Sequence, residues 1–147
     1  MAFDTSINVL IVDDYQSIRR TIADILRHLG FRNIFFAEDG KQALRRISDT
    51  PIHLVILDWD MPVMTGIEVL RQMRDSDKWK ECPVIIPVIM VTAVASREKV
   101  LEAIESGVTD YIVKPFSAQT LEKKLKQVIG YTDDAIVPVP FKPPAAY

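Results

Sequence analysis

The run Ile7-Asn8-Val9-Leu10-Ile11-Val12 is apolar, rich in β-branched side chains, and stops abruptly at two aspartates, Asp13 and Asp14. A run this short, bounded by polar residues, reads as a strand buried on both faces. An amphipathic stretch follows from Ser17, with Ile18, Ile22, Ile25, Leu26 and Leu29 at helical spacing and Gly30 where a helix-ending glycine belongs. The alternation then repeats. Asn33 to Ala37 is a second strand, and Lys41 to Ile47 a second helix that closes near Pro51. His53 to Leu57 is a third strand ending at Asp58, followed by a loop, Asp60 to Gly66, and a helix face of Ile67, Val69, Leu70 and Met73. Strand four is Val88 to Val91, helix four runs from about Arg97 to Ser106 with Gly107 as its stop, and strand five is Tyr111 to Val113. Helix five carries Leu121, Leu125, Val128 and Ile129. Near-continuous apolar strands alternating with amphipathic helices dictate an α/β domain: a doubly wound five-stranded parallel sheet with helices on both faces.

In such a sheet the site lies beyond the carboxyl ends of the strands. There the sequence places Asp13 and Asp14, Asp58, Thr92 and Lys114. Three carboxylates converging on one edge repel each other unless a cation joins them, and an all-oxygen acidic set suits Mg²⁺. Lys114 adds a point positive charge and Thr92 a hydroxyl, both fitted to the oxygens of a phosphoryl group. Together these groups describe phosphoryl transfer to an aspartate. Asp58 is the expected acceptor, because it stands alone at the end of the central strand while the Asp13-Asp14 pair is better placed to hold an ion. Taken singly, each residue has a plainer reading: the aspartate pair as a helix cap, Thr92 as the cap of helix four, Lys114 as a solvated lysine before Pro115. Their coincidence at four strand ends is what argues for chemistry.

The quoted segments carry a resemblance. Val9 to Asp14, Asp58-Trp59-Asp60-Met61-Pro62-Val63-Met64-Thr65-Gly66, Met90 to Ala93 and Tyr111-Ile112-Val113-Lys114-Pro115-Phe116 resemble the response regulator receiver domain of two-component signalling, over about residues 5 to 130. Lys114 to Ala118, with Leu121-Glu122, and Asp58-Trp59 are most similar to its stand-alone chemotaxis members. The resemblance implies the flavodoxin-like (βα)5 fold and a single-domain regulator whose Asp58 is phosphorylated by a sensor histidine kinase. It implies Mg²⁺ near Asp13, Asp14 and Asp58, with the main-chain carbonyl of Asp60 as a further ligand, and a switch made of Thr92 and Tyr111. The implied output is a change in the face formed by helix four, strand five and helix five, which binds a target such as a flagellar motor switch component. A phosphatase partner is left open, and so is duty as a phosphate shuttle or sink in another relay. On this reading the chain catalyses only its own phosphorylation and dephosphorylation.

Two rivals belong to other classes. Asp58-Trp59-Asp60 also resembles the Asp-x-Asp of aspartate-nucleophile phosphatases, whose second acid protonates a leaving group. Against that, the motif follows the third strand instead of the first, no cap domain is expected, and Asp13-Asp14 comes too early. A flavin-binding module would need a Ser/Thr/Gly-rich phosphate loop after strand one, where this chain has Asp-Asp-Tyr-Gln.

Composition narrows the setting. The net charge is −2 with no basic stripe along the chain, which argues against nucleic acid as a partner. One cysteine, Cys82, permits no internal disulfide, and no leader pattern precedes strand one, so a cytoplasmic monomer is expected. The longest nearly uncharged run, Cys82 to Ser96, contains Pro83 and Pro87 and is too short to insert into a membrane. Three features depart from the family pattern. Asp58 and Thr92 are 34 residues apart, with Val84 to Ile89 resembling a partly duplicated lead-in to strand four. Asp60 and Val94 stand at positions that in the resembled family border the attacking water, which should tune the lifetime of a phosphoryl group, and Trp59 is expected to be a partly exposed indole. Residues 131–147 hold four of the nine prolines and form a tail expected to be extended or disordered, outside the receiver domain of residues 1–130. Docking of its Ala135 to Phe141 stretch on the target face is the alternative.

Overall fold

A computed structural model describes residues 4–75 and 86–129. Five strands, β1 (Asn8–Val12), β2 (Asn33–Ala37), β3 (Leu54–Asp58), β4 (Val88–Thr92) and β5 (Asp110–Val113), alternate with five helices, α1 (Gln16–His28), α2 (Gly40–Asp49), α3 (Gly66–Met73), α4 (Arg97–Glu105) and α5 (Ala118–Ile129). All strand pairs are parallel, in the order β2-β1-β3-β4-β5. The doubly wound sheet expected from the alternation is therefore present.

Successive residues of a strand face opposite sides, so each apolar run feeds two cores. Leu10, Val12, Val55, Leu57, Val88 and Met90 pack on the side of α2, α3 and α4. Val9, Ile11, Leu54, Ile56, Ile89, Val91 and Ile112 pack with the apolar faces of α1 and α5. At about 2 kcal/mol per buried aliphatic side chain, this two-sided burial is what holds the strand ends in register.

The helix starts show where local chemistry acts. Asp39 caps α2 by accepting from the Gln42 N–H at 2.8 Å, and Ser96 caps α4 through the Lys99 N–H at 3.2 Å. Thr65 and Glu68 form a reciprocal capping box on α3. The plainer roles for the strand-end residues are not realised: α1 begins after Tyr15 with no side-chain cap, and Thr92 caps nothing. Gly30 and Gly107, both at positive φ, follow α1 and α4 as anticipated. The segment 76–85 and the tail 131–147 lie outside the described residues, and with them most of the lengthened lead-in to β4 and the reading of the tail. No described helix is long and apolar enough to cross a membrane.

Gly66 decides how closely the loop after β3 folds back. Its N–H donates to the Trp59 carbonyl at 2.9 Å, and a Cβ there would meet the Asp58 carbonyl oxygen and lie 2.9 Å from the Trp59 Cα. Those neighbours are backbone and cannot swing aside. Gly66→Ala is expected to destabilise the domain by about 2 kcal/mol, read as a lower urea midpoint at unchanged m-value.

Candidate functional site

The register delivers the site. Val12 pairs with Leu57 across β1 and β3, which sets the next residues, Asp13 and Asp58, side by side on neighbouring strands; Asp58 in turn pairs with Val91, and Thr92 with Val113. Asp13, Asp58 and Thr92 are buried at 1%, 2% and 3% exposure. Carboxylate oxygens of Asp13, Asp14 and Asp58 lie within 4.8 Å of one another. Lys114, from the end of β5, reaches back with its Nζ 3.1 Å from Asp58 Oδ1 and 3.4 Å from Asp13 Oδ2. Four of the five strand-end residues singled out in the sequence, Asp13, Asp14, Asp58 and Lys114, thus meet at one small acidic space, while Thr92 ends the neighbouring strand β4 with its hydroxyl turned to Val94.

The charges do not balance, since three carboxylates face one ammonium. Burial above all, and then the charge of Asp13, raise the Asp58 pKa to about 6 against the pull of Lys114. Burial likewise raises Asp13, although the Tyr15 N–H donates to its Oδ1 at 2.9 Å and Lys114 opposes the shift. For Lys114, burial pulls the pKa down, but Asp58 and Asp13 together outweigh it and the net shift is upward. Asp14 Oδ1 is buried and has no hydrogen-bond partner among the described residues. An orphaned carboxylate oxygen beside two others in an electron-rich pocket fits a hard divalent cation, which would supply the missing positive charge and a partner for that atom.

Thr92 is locked locally. Its hydroxyl donates to the Val94 carbonyl at 2.9 Å and accepts from the Val94 N–H at 3.2 Å. Tyr111 is half-buried against the core on the α3-α4 side, and Lys124 lies 5.4 Å from its ring centroid while pairing with Asp110 at 3.0 Å.

Trp59 corrects an expectation. It is buried, at 7% exposure, because the chain turns inward after β3 and Lys99 from the first turn of α4 covers its ring at 5.2 Å. The same ammonium lies 3.8 Å from Asp60 Oδ1 and holds that carboxylate at the surface, 58% exposed and outside the acidic cluster. Lys99 was not visible as a site residue, since it belongs to a different unit from the loop it braces. Arg19 was also missed: its Nη1 donates to the Asp13 main-chain oxygen at 2.7 Å, fixing the strand end from α1. Its place one turn into α1, on the side turned to β1, is the only sequence signal for it.

The chain matches the family described as response regulator receiver domain over residues 9–126. It is 43% identical over 120 residues to the chemotaxis protein CheY of Pseudomonas aeruginosa, covering 82% of this chain and 94% of that one. Chemotaxis protein CheY-3 of Vibrio cholerae is 42% identical over 123 residues, covering 84% and 92%. Among solved structures, CheY4 of V. cholerae superposes with a TM-score of 0.75 at 36% identity over 84% of this chain and 98% of the other. A CheY-like receiver domain protein from Methanospirillum hungatei gives 0.71 at 28% identity, over 82% and 91%.

The raised Asp58 pKa has a stability consequence of defined sign. The folded state binds the proton more tightly than the unfolded chain, so stability is greatest with the acid protonated and falls as pH rises from about 4 to about 6. A shift of this size amounts to roughly 3 kcal/mol. Asp58→Asn is expected to melt higher than the wild type at pH 7.5 without divalent cations, and the gap should close near pH 4.5. Equal melting temperatures at both pH values would show that the buried charge carries no strain.

Proposed function

The chain belongs to the response regulator receiver family, and on that premise we propose that it works as a single-domain switch whose phosphoacceptor is Asp58. The proposed donor is a phosphohistidine of a sensor histidine kinase, and the metal is Mg²⁺ held by Asp13, Asp14, Asp58 and the main-chain carbonyl of Asp60. The observation that carries the reading is the placement of Asp58: buried, at the end of the central strand, and within 3.1 Å of an ammonium that can follow its charge.

In the transfer, an Asp58 carboxylate oxygen attacks phosphorus in line with the departing imidazole nitrogen. Bound Mg²⁺ would supply charge neutralisation for the phosphoryl oxygens. Lys114, already between Asp58 and Asp13, moves with the new negative charge and keeps the pocket near balance. Thr92 must give up both bonds to Val94 to reach a phosphoryl oxygen, and its departure opens space beside Tyr111. The ring is held there by Lys124 from α5, so its rotation alters the α4-β5-α5 surface offered to a target. The two relatives named as chemotaxis proteins support a target in chemotaxis, with a flagellar motor switch component the proposed class. Relay duty as shuttle or sink is the second outcome a partner screen would return.

Catalysis limited to its own phosphorylation and dephosphorylation is proposed over phosphatase turnover, and the Lys99 pairing of Asp60 supports this. A second acid that is 58% exposed and tied to an ammonium is poorly placed to protonate a leaving group above Asp58. The same pairing suggests that Asp60 contributes little repulsion at the acceptor, so Lys99→Ala should shorten the phosphoryl lifetime if freed Asp60 then orients water.

Incubation with a small acyl phosphate and Mg²⁺ should label the wild type and leave Asp58→Asn unlabelled, and chelation should abolish labelling. Asp14→Ala should weaken Mg²⁺ binding about tenfold, followed by Trp59 fluorescence in a Trp79→Phe background. Labelling of Asp58→Asn, or sustained hydrolysis of a phosphomonoester, would replace the switch with another chemistry.

A further inference from the structure

A second feature lies away from the acidic pocket. Among the described residues β2 stands at one margin of the sheet and is hydrogen-bonded only to β1. A half-open groove of about 460 Å³ runs along this margin, with Arg20, Ala23 and Arg27 of α1 on one side, Gln42 and Arg46 of α2 on the other, and Phe36 of β2 at the base. Six of the chain's nine arginines lie between Gln16 and Arg46, and residues 16–46 carry seven Lys and Arg against three Asp and Glu in a chain whose net charge is −2. The sequence shows no basic stripe because these residues are scattered; the fold brings Arg19, Arg20 and Arg27 of α1 and Arg46 of α2 to the groove. Glu38 at the groove is paired with Arg19 at 3.8 Å and Arg27 with Asp24 at 3.4 Å, which leaves Arg20 and Arg46 as the groove guanidiniums with no ion pair among the described residues.

We propose that this groove receives an acidic, extended segment of a partner protein, which adds to the free edge of β2 while its carboxylates engage the flanking guanidiniums. Arg20 and Arg46 flank the groove from α1 and α2, so acids of an extended segment laid along β2 meet a guanidinium on either side. From Gln16 to Arg27 the α1 side spans about 16 Å, room for some five extended residues. Phe36 offers an apolar surface to a side chain on the inner face. Guanidinium forks suit carboxylates with two-point geometry, and main-chain pairing at an open edge adds affinity independent of side chains. A second copy is a poor occupant, because joining two β2 edges would bring arginine against arginine.

The test uses the full chain and a fluorescein-labelled eight-residue peptide of alternating Glu and Val, followed by anisotropy at low salt. The wild type should bind it, and Arg20→Glu with Arg46→Glu should weaken binding at least tenfold at unchanged circular dichroism; Arg20→Gln with Arg46→Gln should give a smaller loss. Amides within Asn33–Ala37 should gain hydrogen-exchange protection when the peptide binds, and a peptide N-methylated throughout, or with Lys for Glu, should not bind. No binding, or binding without protection of β2, would overturn the proposal. So would inorganic triphosphate or a ten-nucleotide oligothymidylate binding more tightly than the peptide, which would make the groove a phosphate site.

Discussion

The contact on which the site depends is the ammonium of Lys114 set between the carboxylates of Asp13 and Asp58. Parallel pairing of β1 and β3 brings those two acids onto adjacent strands about 5 Å apart, and the two-sided core buries them there. Neither acid can retreat without breaking the register that ten or more buried aliphatic side chains maintain. One cation among three carboxylates is a deliberate shortfall in physical terms: it keeps Asp58 ionisable near neutrality yet leaves an oxygen of Asp14 with nothing to bind. A pocket completely neutralised by lysines would have no reason to take up a metal ion.

The residues around the acidic cluster are held by weaker, replaceable contacts. Thr92 is held by two bonds within a short turn, Tyr111 by a cation over its ring, and Asp60 by a surface ion pair. Each is worth on the order of 1 kcal/mol, small beside the interaction that a phosphoryl group on Asp58 would make with a buried ammonium on the proposed function. On that function, rigid centre and soft periphery together would let a local change of charge be read at a distance.

The elements and the converging residues were legible because both are written in short-range code: an apolar run identifies a strand, and the residue ending it must sit at the sheet edge. Legibility failed where a side chain is governed by another unit. Trp59 looked like a loop indole because nothing near it in sequence reports that Lys99, forty positions later, folds over it. Asp60 was ambiguous for the same reason. The arginines of α1 and α2 were hidden by averaging, since each helix alone looks like an ordinary solvated surface and only the β2 margin between them makes a groove. The starts of α1 to α4 were placed within a residue, helix five was marked only from Leu121, three residues inside its start, and α1 has no capping side chain to signal it.

Asp13 and Lys114 are 101 positions apart, and the strands they follow, β1 and β5, are the first and the last in chain order. During synthesis the aspartates emerge long before the lysine that makes their proximity tolerable. A nascent chain with only three or four units formed would hold the acids without their counter-charge, so the acceptor strand end should stay frayed until β5 docks. On the proposed function, competence to accept a phosphoryl group would be a property of the finished fold, and a chain cut short before β5 would not be labelled even with Asp58 intact.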